Sequence, residues 1–277
     1  MSTALLLFLA GLAAGFLGGL VGVGGGIIFA PVLLFYYRSA GVPPEVLAPL
    51  TIGTSLLCTF VVAVASAWFQ HRRRAVEPRV ALFAGLSSAA AVFAMTRFVT
   101  TQPWYDATVF QIVFSLLLLA TVVQMIRPPR HGRVPPEAEG TPSRDRVPWP
   151  ALFGVGAAAG AVASAVGVGG GVVLVPAYHH LLRLPIHRAV GTSSATIPLI
   201  ALLGVAGYAI AGSDATVPGT ALGYVDAGRA LLLALPALFS ARLGVWTAHR
   251  IDTRALRLSF AVLAVFVALR LLYGALG

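Results

Sequence analysis

Apolar residues fill this 277-residue chain in long blocks, and polar residues are confined to short stretches between them. Blocks of this kind suit helices that cross a bilayer core, which takes roughly 20 residues. The alternation of apolar and polar positions that marks an outer-membrane barrel is absent. The pattern predicts three ordinary spans near 47–70, 80–98 and 107–126, and three more near 189–211, 229–248 and 256–273. Ahead of each set stands an apolar segment, 4–37 and 149–182, interrupted by glycine.

The interruptions share a word. "GLVGVGGGIIFAP" fills 19–31 and "SAVGVGGGVVLVP" fills 164–176; Gly22 and Gly167 lie 167 − 22 = 145 residues apart, as do Gly15 and Gly160, and Pro31 and Pro176. A second word, "GTS", stands at 53–55 and 191–193, 138 residues apart. The chain is a tandem duplication, with an N-terminal membrane repeat at 1–126, a proline- and charge-rich linker at 127–148 and a C-terminal repeat at 149–277.

Loop charge orients the halves. Arginine exceeds acid in 71–79, in 127–148 and in 249–257, which assigns these loops to the cytoplasm, whereas 211–226 has two aspartates and no base and belongs outside. With 183–188 also cytoplasmic, the segment 149–182 enters and leaves on one side, as a re-entrant or short-hairpin element. The expected fold is an all-α polytopic membrane protein of two homologous halves set as inverted repeats, each with a glycine-broken segment and three transmembrane helices. The N-terminal segment has no basic start and has a counterpart in mid-chain, so it reads as mature structure rather than a signal.

Composition agrees: 58% hydrophobic and 10% charged residues exclude an ordinary soluble domain. The net charge of +10 comes from arginines placed mostly in loops, so it reports topology and calls for no nucleic acid. The lone Cys58 cannot form an internal disulfide and reads as packing.

Candidate chemistry lies in the glycines. Each glycine costs a helix about 1 kcal/mol relative to alanine, so "GVGGG" should break the helix, free backbone amides, and aim a new helix N-terminus, carrying about half a positive charge, into the membrane interior. Two such starts meeting at midplane, beside Thr54, Ser55, Thr192, Ser193 and Ser194, would hold a pyramidal or tetrahedral oxyanion without a charged side chain. Close helix packing is the alternative use of the glycines. The nine acidic residues all fall in loops or at span ends, so no buried carboxylate is expected, which argues against a cation pump. His179, after the second glycine word, is a candidate for proton coupling or for packing. Arg97 and Arg270 read as interfacial, Arg242 as deeper, and Trp68, Trp104, Trp149 and Trp246 as anchors near span ends. No metal or cofactor is called for.

The stretches "GFLGGLVGVGGGIIFAP" and "GAVASAVGVGGGVVLVP", each followed by "GTS", together with "HRAVGTSSATIP" and "ALFSARLG", resemble the TauE/SafE sulfite exporter family over nearly the whole chain. The first "GTS" follows "LAPLTI" where the second follows "AV", a departure that loosens the equivalence of the halves. The resemblance implies a multi-pass permease of the bacterial or archaeal plasma membrane for sulfite, organosulfonates or related small anions, often driven by protons. It implies substrate-facing roles for Gly24, Gly25, Gly26, Thr54, Ser55, Gly169, Gly170, Gly171, Thr192 and Ser193. An anion channel, an intramembrane enzyme pairing Ser193 or Ser194 with His179 or His180, and a membrane scaffold are the other readings; substrate, direction and oligomeric state stay open.

Overall fold

The computed structural model describes residues 3–126, 149–215 and 221–276. The linker predicted at 127–148 lies outside the described residues. Among the described residues ten α-helices follow in order: α1 (Thr3–Val21), α2 (Gly26–Ser39), α3 (Pro44–Arg72), α4 (Pro78–Met95), α5 (Ala107–Ile126), α6 (Trp149–Val166), α7 (Gly171–His180), α8 (Ile186–Ala211), α9 (Ala227–Ala248) and α10 (Thr253–Leu276). Helix α4 runs on as a π-turn over Thr96–Thr100, and a two-residue hairpin, β1 (Ala221–Leu222) and β2 (Val225–Asp226), precedes α9. Within the hairpin Ala221 pairs with Asp226 and Leu222 with Val225. This hairpin is a feature that the apolar pattern did not announce.

Six of the described helices are long and apolar enough to cross a membrane. They are built inside out relative to a soluble protein. On α9 the small Ala230, Ala234, Ala237, Ala241 and Gly244 face the protein, while Leu231, Leu235, Phe239 and Leu243 face outward. Lipid is as apolar as a leucine side chain, so helices gain by approaching through small residues and leaving large ones to the acyl chains. Gly11, Gly15 and Gly19 of α1 accordingly lie on the carbonyls of Leu233, Ala237 and Ala241 of α9, too close for a Cβ. Here the packing use of glycine is the right one. The four tryptophans are exposed, and Trp246 and Trp68 carry the guanidinium groups of Arg250 and Arg72 at 3.7 and 5.2 Å from their ring centroids.

Several helix pairs of one half recur in the other. As α1 lies parallel on α9, so α6 lies parallel on α4, with Gly156 and Gly160 on the carbonyls of Ala84 and Ser88. The matched helices α3 and α8 run antiparallel side by side, Gly53 beside Tyr208, Leu56 beside Gly204 and Ala75 beside Gly191. Helices α5 and α10 also pair antiparallel, with Gln111 beside Gly274 and Ser115 donating to the Ala268 carbonyl at 3.1 Å.

Candidate functional site

Both glycine words break their helices, and the new helices start at Gly26 and Gly171. Three glycines in each turn take left-handed backbone angles: Gly22, Gly24 and Gly25 at φ 74°, 75° and 80°, and Gly167, Gly169 and Gly170 at 73°, 69° and 80°. Only a residue without a Cβ takes this conformation cheaply, which explains three glycines where a packing face needs one in four.

The hydrogen-bond ladder stops at each break. Gly22 N–H donates to the Gly18 carbonyl at 3.0 Å, and the next amide to reach a carbonyl is that of Ile28, on Gly25 at 3.0 Å. In the second half Gly167 donates to Ala163 at 2.8 Å and the ladder resumes with Val173 on Gly170 at 3.0 Å. Among the described residues no carbonyl takes the amides of Val23 through Ile27 or of Val168 through Val172. Buried amides are seldom left in this condition.

The two turns meet. A Cβ on Gly26 would lie 2.5 Å from the Cα of Val168, and one on Gly171 would lie 2.6 Å from the Cα of Val23. Both turns rest on Thr59 of α3 and Ile197 of α8. Thr59 is 15 residues past Pro44 and 13 short of Arg72, and Ile197 is 11 past Ile186 and 14 short of Ala211. At a rise of 1.5 Å per residue the junction is roughly 16–23 Å from either end of both helices. Helices α2 and α7, with 14 and 10 residues, extend about 21 and 15 Å, short of the ~30 Å hydrocarbon core.

The hydroxyls of the two "GTS" words clasp the opposite half. Ser55 Oγ donates to the Gly167 carbonyl and Ser193 Oγ to the Gly22 carbonyl, each at 2.8 Å. Thr54 Oγ1 accepts the Asp226 amide and Thr192 Oγ1 the Glu77 amide, each at 3.0 Å, so each threonine holds the start of a helix in the other repeat. Gly24, Gly25, Gly26, Gly169, Gly170, Gly171, Thr54, Ser55, Thr192 and Ser193 are thus one buried constellation in which the serine protons are engaged with protein carbonyls. A cavity of about 310 Å³ opens beside α7, lined by Leu117, Thr121, Val172, Pro176, His180 and Leu181, not between the turns.

One expectation fails. Asp226 is a buried carboxylate, 1% exposed, although it sits at a span end as the N-cap of α9. Its Oδ1 accepts the Arg229 amide at 3.1 Å, and its Oδ2 stands 3.3 Å from both the Tyr37 hydroxyl and the Arg229 guanidinium. The N-cap role was readable from an aspartate before an apolar run. Its burial was not, because it depends on contacts with Tyr37 of α2 and Thr54 of α3. Arg242, expected deep, faces outward on α9.

His179, at the end of α7, is buried and its Nδ1 is 2.9 Å from the Leu184 carbonyl oxygen. A carbonyl only accepts, so Nδ1 carries a proton in this contact. Ser194 Oγ donates to its own helix at Val190, 3.0 Å away. Ser193, Ser194 and His179 each turn to a different carbonyl.

Comparison with known proteins agrees with this architecture. The family model described as sulfite exporter TauE/SafE matches residues 7–271. A probable membrane transporter protein of Methanocaldococcus jannaschii is 27% identical over 91% of this chain and 89% of its own length. Another of Haemophilus influenzae is 24% identical over 96% and 97%, and the probable membrane transporter protein YunE of Bacillus subtilis is 25% identical over 97% of each. No solved structure matches the chain. The relatives are named as probable membrane transporters, and the family model covers almost the full length: this multi-pass membrane protein belongs to the TauE/SafE sulfite exporter family.

Proposed function

We propose that the protein is a secondary transporter that carries sulfite, an organosulfonate or a similar small oxyanion, bound at the junction of the two glycine turns. The observation that carries this reading is the pair of amide runs, Val23–Ile27 and Val168–Val172, buried at the two helix breaks with no carbonyl partner. Amides at a helix start, with the positive end of its dipole, are a natural anion receptor. In a bilayer a buried unpaired backbone is tolerated only where a ligand or a watery path serves it.

The antiparallel course of α3 against α8 and of α5 against α10 supports inverted halves related by an axis in the membrane plane. Transport then follows from rocking one repeat against the other, with the paired bonds Ser55 to Gly167 and Ser193 to Gly22 closing the junction. The tight seating of Gly26 on Val168 and of Gly171 on Val23 favours this alternating access over a permanently open channel. A proton travels with the substrate as its hydrogen anion or on His179. The latter is eight residues beyond Gly171, about 12 Å along α7, and so belongs to the exit path rather than the junction.

Purified protein in proteoliposomes tests the reading: saturable sulfite or sulfonate flux is expected, whereas no flux, or flux that never saturates, contradicts it. A pH jump on wild type and His179→Ala assigns the proton, because unchanged pH dependence in the variant leaves the substrate as the carrier.

A further inference from the structure

The duplication is broken at one position inside the junction. The offset of 138 that takes Thr54 to Thr192 and Ser55 to Ser193 takes Thr59 to Ile197. Both side chains touch both turns: Thr59 Cγ2 would be 2.8 and 2.6 Å from a Cβ on Gly24 and Gly169, and Ile197 Cγ2 would be 3.4 and 2.7 Å from the same two. Their remaining tips differ. Thr59 Oγ1 points at the first residue of α2, 2.9 Å from a Cβ on Gly26, while Ile197 Cδ1 points at the first residue of α7, 3.0 Å from a Cβ on Gly171.

Thr59 is fully buried, and its hydroxyl has no hydrogen-bond partner. A helical threonine or serine ordinarily escapes this cost by bonding the carbonyl four residues back. Thr51 does so on Leu47 at 2.7 Å, Thr196 on Thr192 at 2.9 Å and Ser194 on Val190 at 3.0 Å. Thr59 instead turns its oxygen toward Gly26, the first residue of α2. One helix start thus carries an unsatisfied hydroxyl and the other a methyl group.

Resting on the anion site proposed above, we infer that Thr59 is the side-chain donor of that site and Ile197 its apolar wall, so that the substrate is an oxyanion with one oxygen-free face. Sulfite, whose lone pair faces away from its three oxygens, and an alkylsulfonate, whose carbon does, both fit. Sulfate and phosphate present oxygen on every side, and one of these oxygens would lose its water against Ile197 with no donor in exchange. The discrimination is built by leaving a polar group unpaired against the wrong ligand.

The test uses full-length protein in proteoliposomes, with sulfite and methanesulfonate as carried anions and sulfate as competitor. Wild type is expected to carry the first two and to ignore sulfate. Thr59→Val, which keeps the shape and removes the donor, is expected to weaken apparent affinity roughly 10- to 100-fold, the value of one hydrogen bond to a charged group. Thr59→Ser should lose less than Thr59→Val, and Ile197→Thr should admit sulfate as a competitor. Wild-type affinity in Thr59→Val, or sulfate competing equally in wild type, overturns the inference while the anion site stands. Wild type that carries none of these anions overturns both. If Thr59→Val does not elute as a folded protein, Ile197→Thr decides, and continued indifference to sulfate in that variant counts against the inference.

Discussion

Replacing Gly170 by alanine probes the turn where it caps a helix. Gly170 is the N-cap of α7 with φ 80° and ψ −5°, and its counterpart Gly25 has φ 80° and ψ −6°. An L-residue in the left-handed region costs about 1–2 kcal/mol. The new methyl would lie 2.8 Å from the Ala159 carbonyl oxygen and 3.1 Å from the Ala159 Cβ, neither of which can swing away. Overpacking of this kind adds about 1–3 kcal/mol, for a total of about 2–5 kcal/mol. Gly25→Ala meets the Ala14 carbonyl at the same 2.8 Å and should cost the same. Gly154, inside α6, has nothing within 4 Å of its Cβ position, and alanine there should be neutral or gain about 0.5–1 kcal/mol through helix propensity. Thermal unfolding in detergent, followed by size-exclusion, ranks the three variants. Gly170→Ala and Gly25→Ala melting together with Gly154→Ala, at or above wild type, would refute the left-handed turns on which the unpaired amides depend.

Three further outcomes follow from the same contacts. Ser55→Ala and Ser193→Ala each leave a buried glycine carbonyl unpaired and should each lose about 1–3 kcal/mol in thermal unfolding, by matching amounts, because the two bonds are equal in length. Asp226→Ala removes the α9 cap, about 0.5–2 kcal/mol, and strands the Tyr37 and Arg229 donors, so its melting point should fall below that of Asp226→Asn, which keeps a capping oxygen. Burial, aided by His187 and Arg73, holds the His249 pKa below its usual 6.5, so the unfolded chain binds the proton more readily than the folded one. Its contribution is present above pH 6.5 and is lost as pH falls through the lower folded value; melting points across pH 5–8 should show a smaller acid-side drop in His249→Gln than in wild type.

How much of this was legible depends on where the cause resides. The helices were, because their cause is local: apolar runs of bilayer length fixed α3, α5, α8 and α9 to within a few residues of the observed ends. The breaks were legible too, since "GVGGG" cannot remain helical cheaply, and the restart at Gly26 falls where the glycines end. What could not be read was partnership. Gly11, Gly15 and Gly19 stay helical against the backbone of α9, whereas Gly22, Gly24 and Gly25 turn left-handed against α8, α3 and α1, and the letter G does not say which. Thr59 looks like any threonine in an apolar run until α2 and α7 meet on its methyl group. Ser55 and Ser193 read as candidate ligands for their hydroxyls and from the family resemblance, yet the opposite turn takes their protons, a relation that exists only once the halves are assembled.

The central claim is that the unpaired amides at the junction receive an oxyanion, and selenite allows it to be seen directly. Selenite is a pyramidal analogue of sulfite, and its selenium scatters anomalously. A crystal grown with it should show one anomalous peak whose oxygens lie about 2.7–3.2 Å from the amides of Gly24–Ile27. Protein that transports selenite yet places the peak anywhere else, with both glycine turns unliganded, would contradict the account.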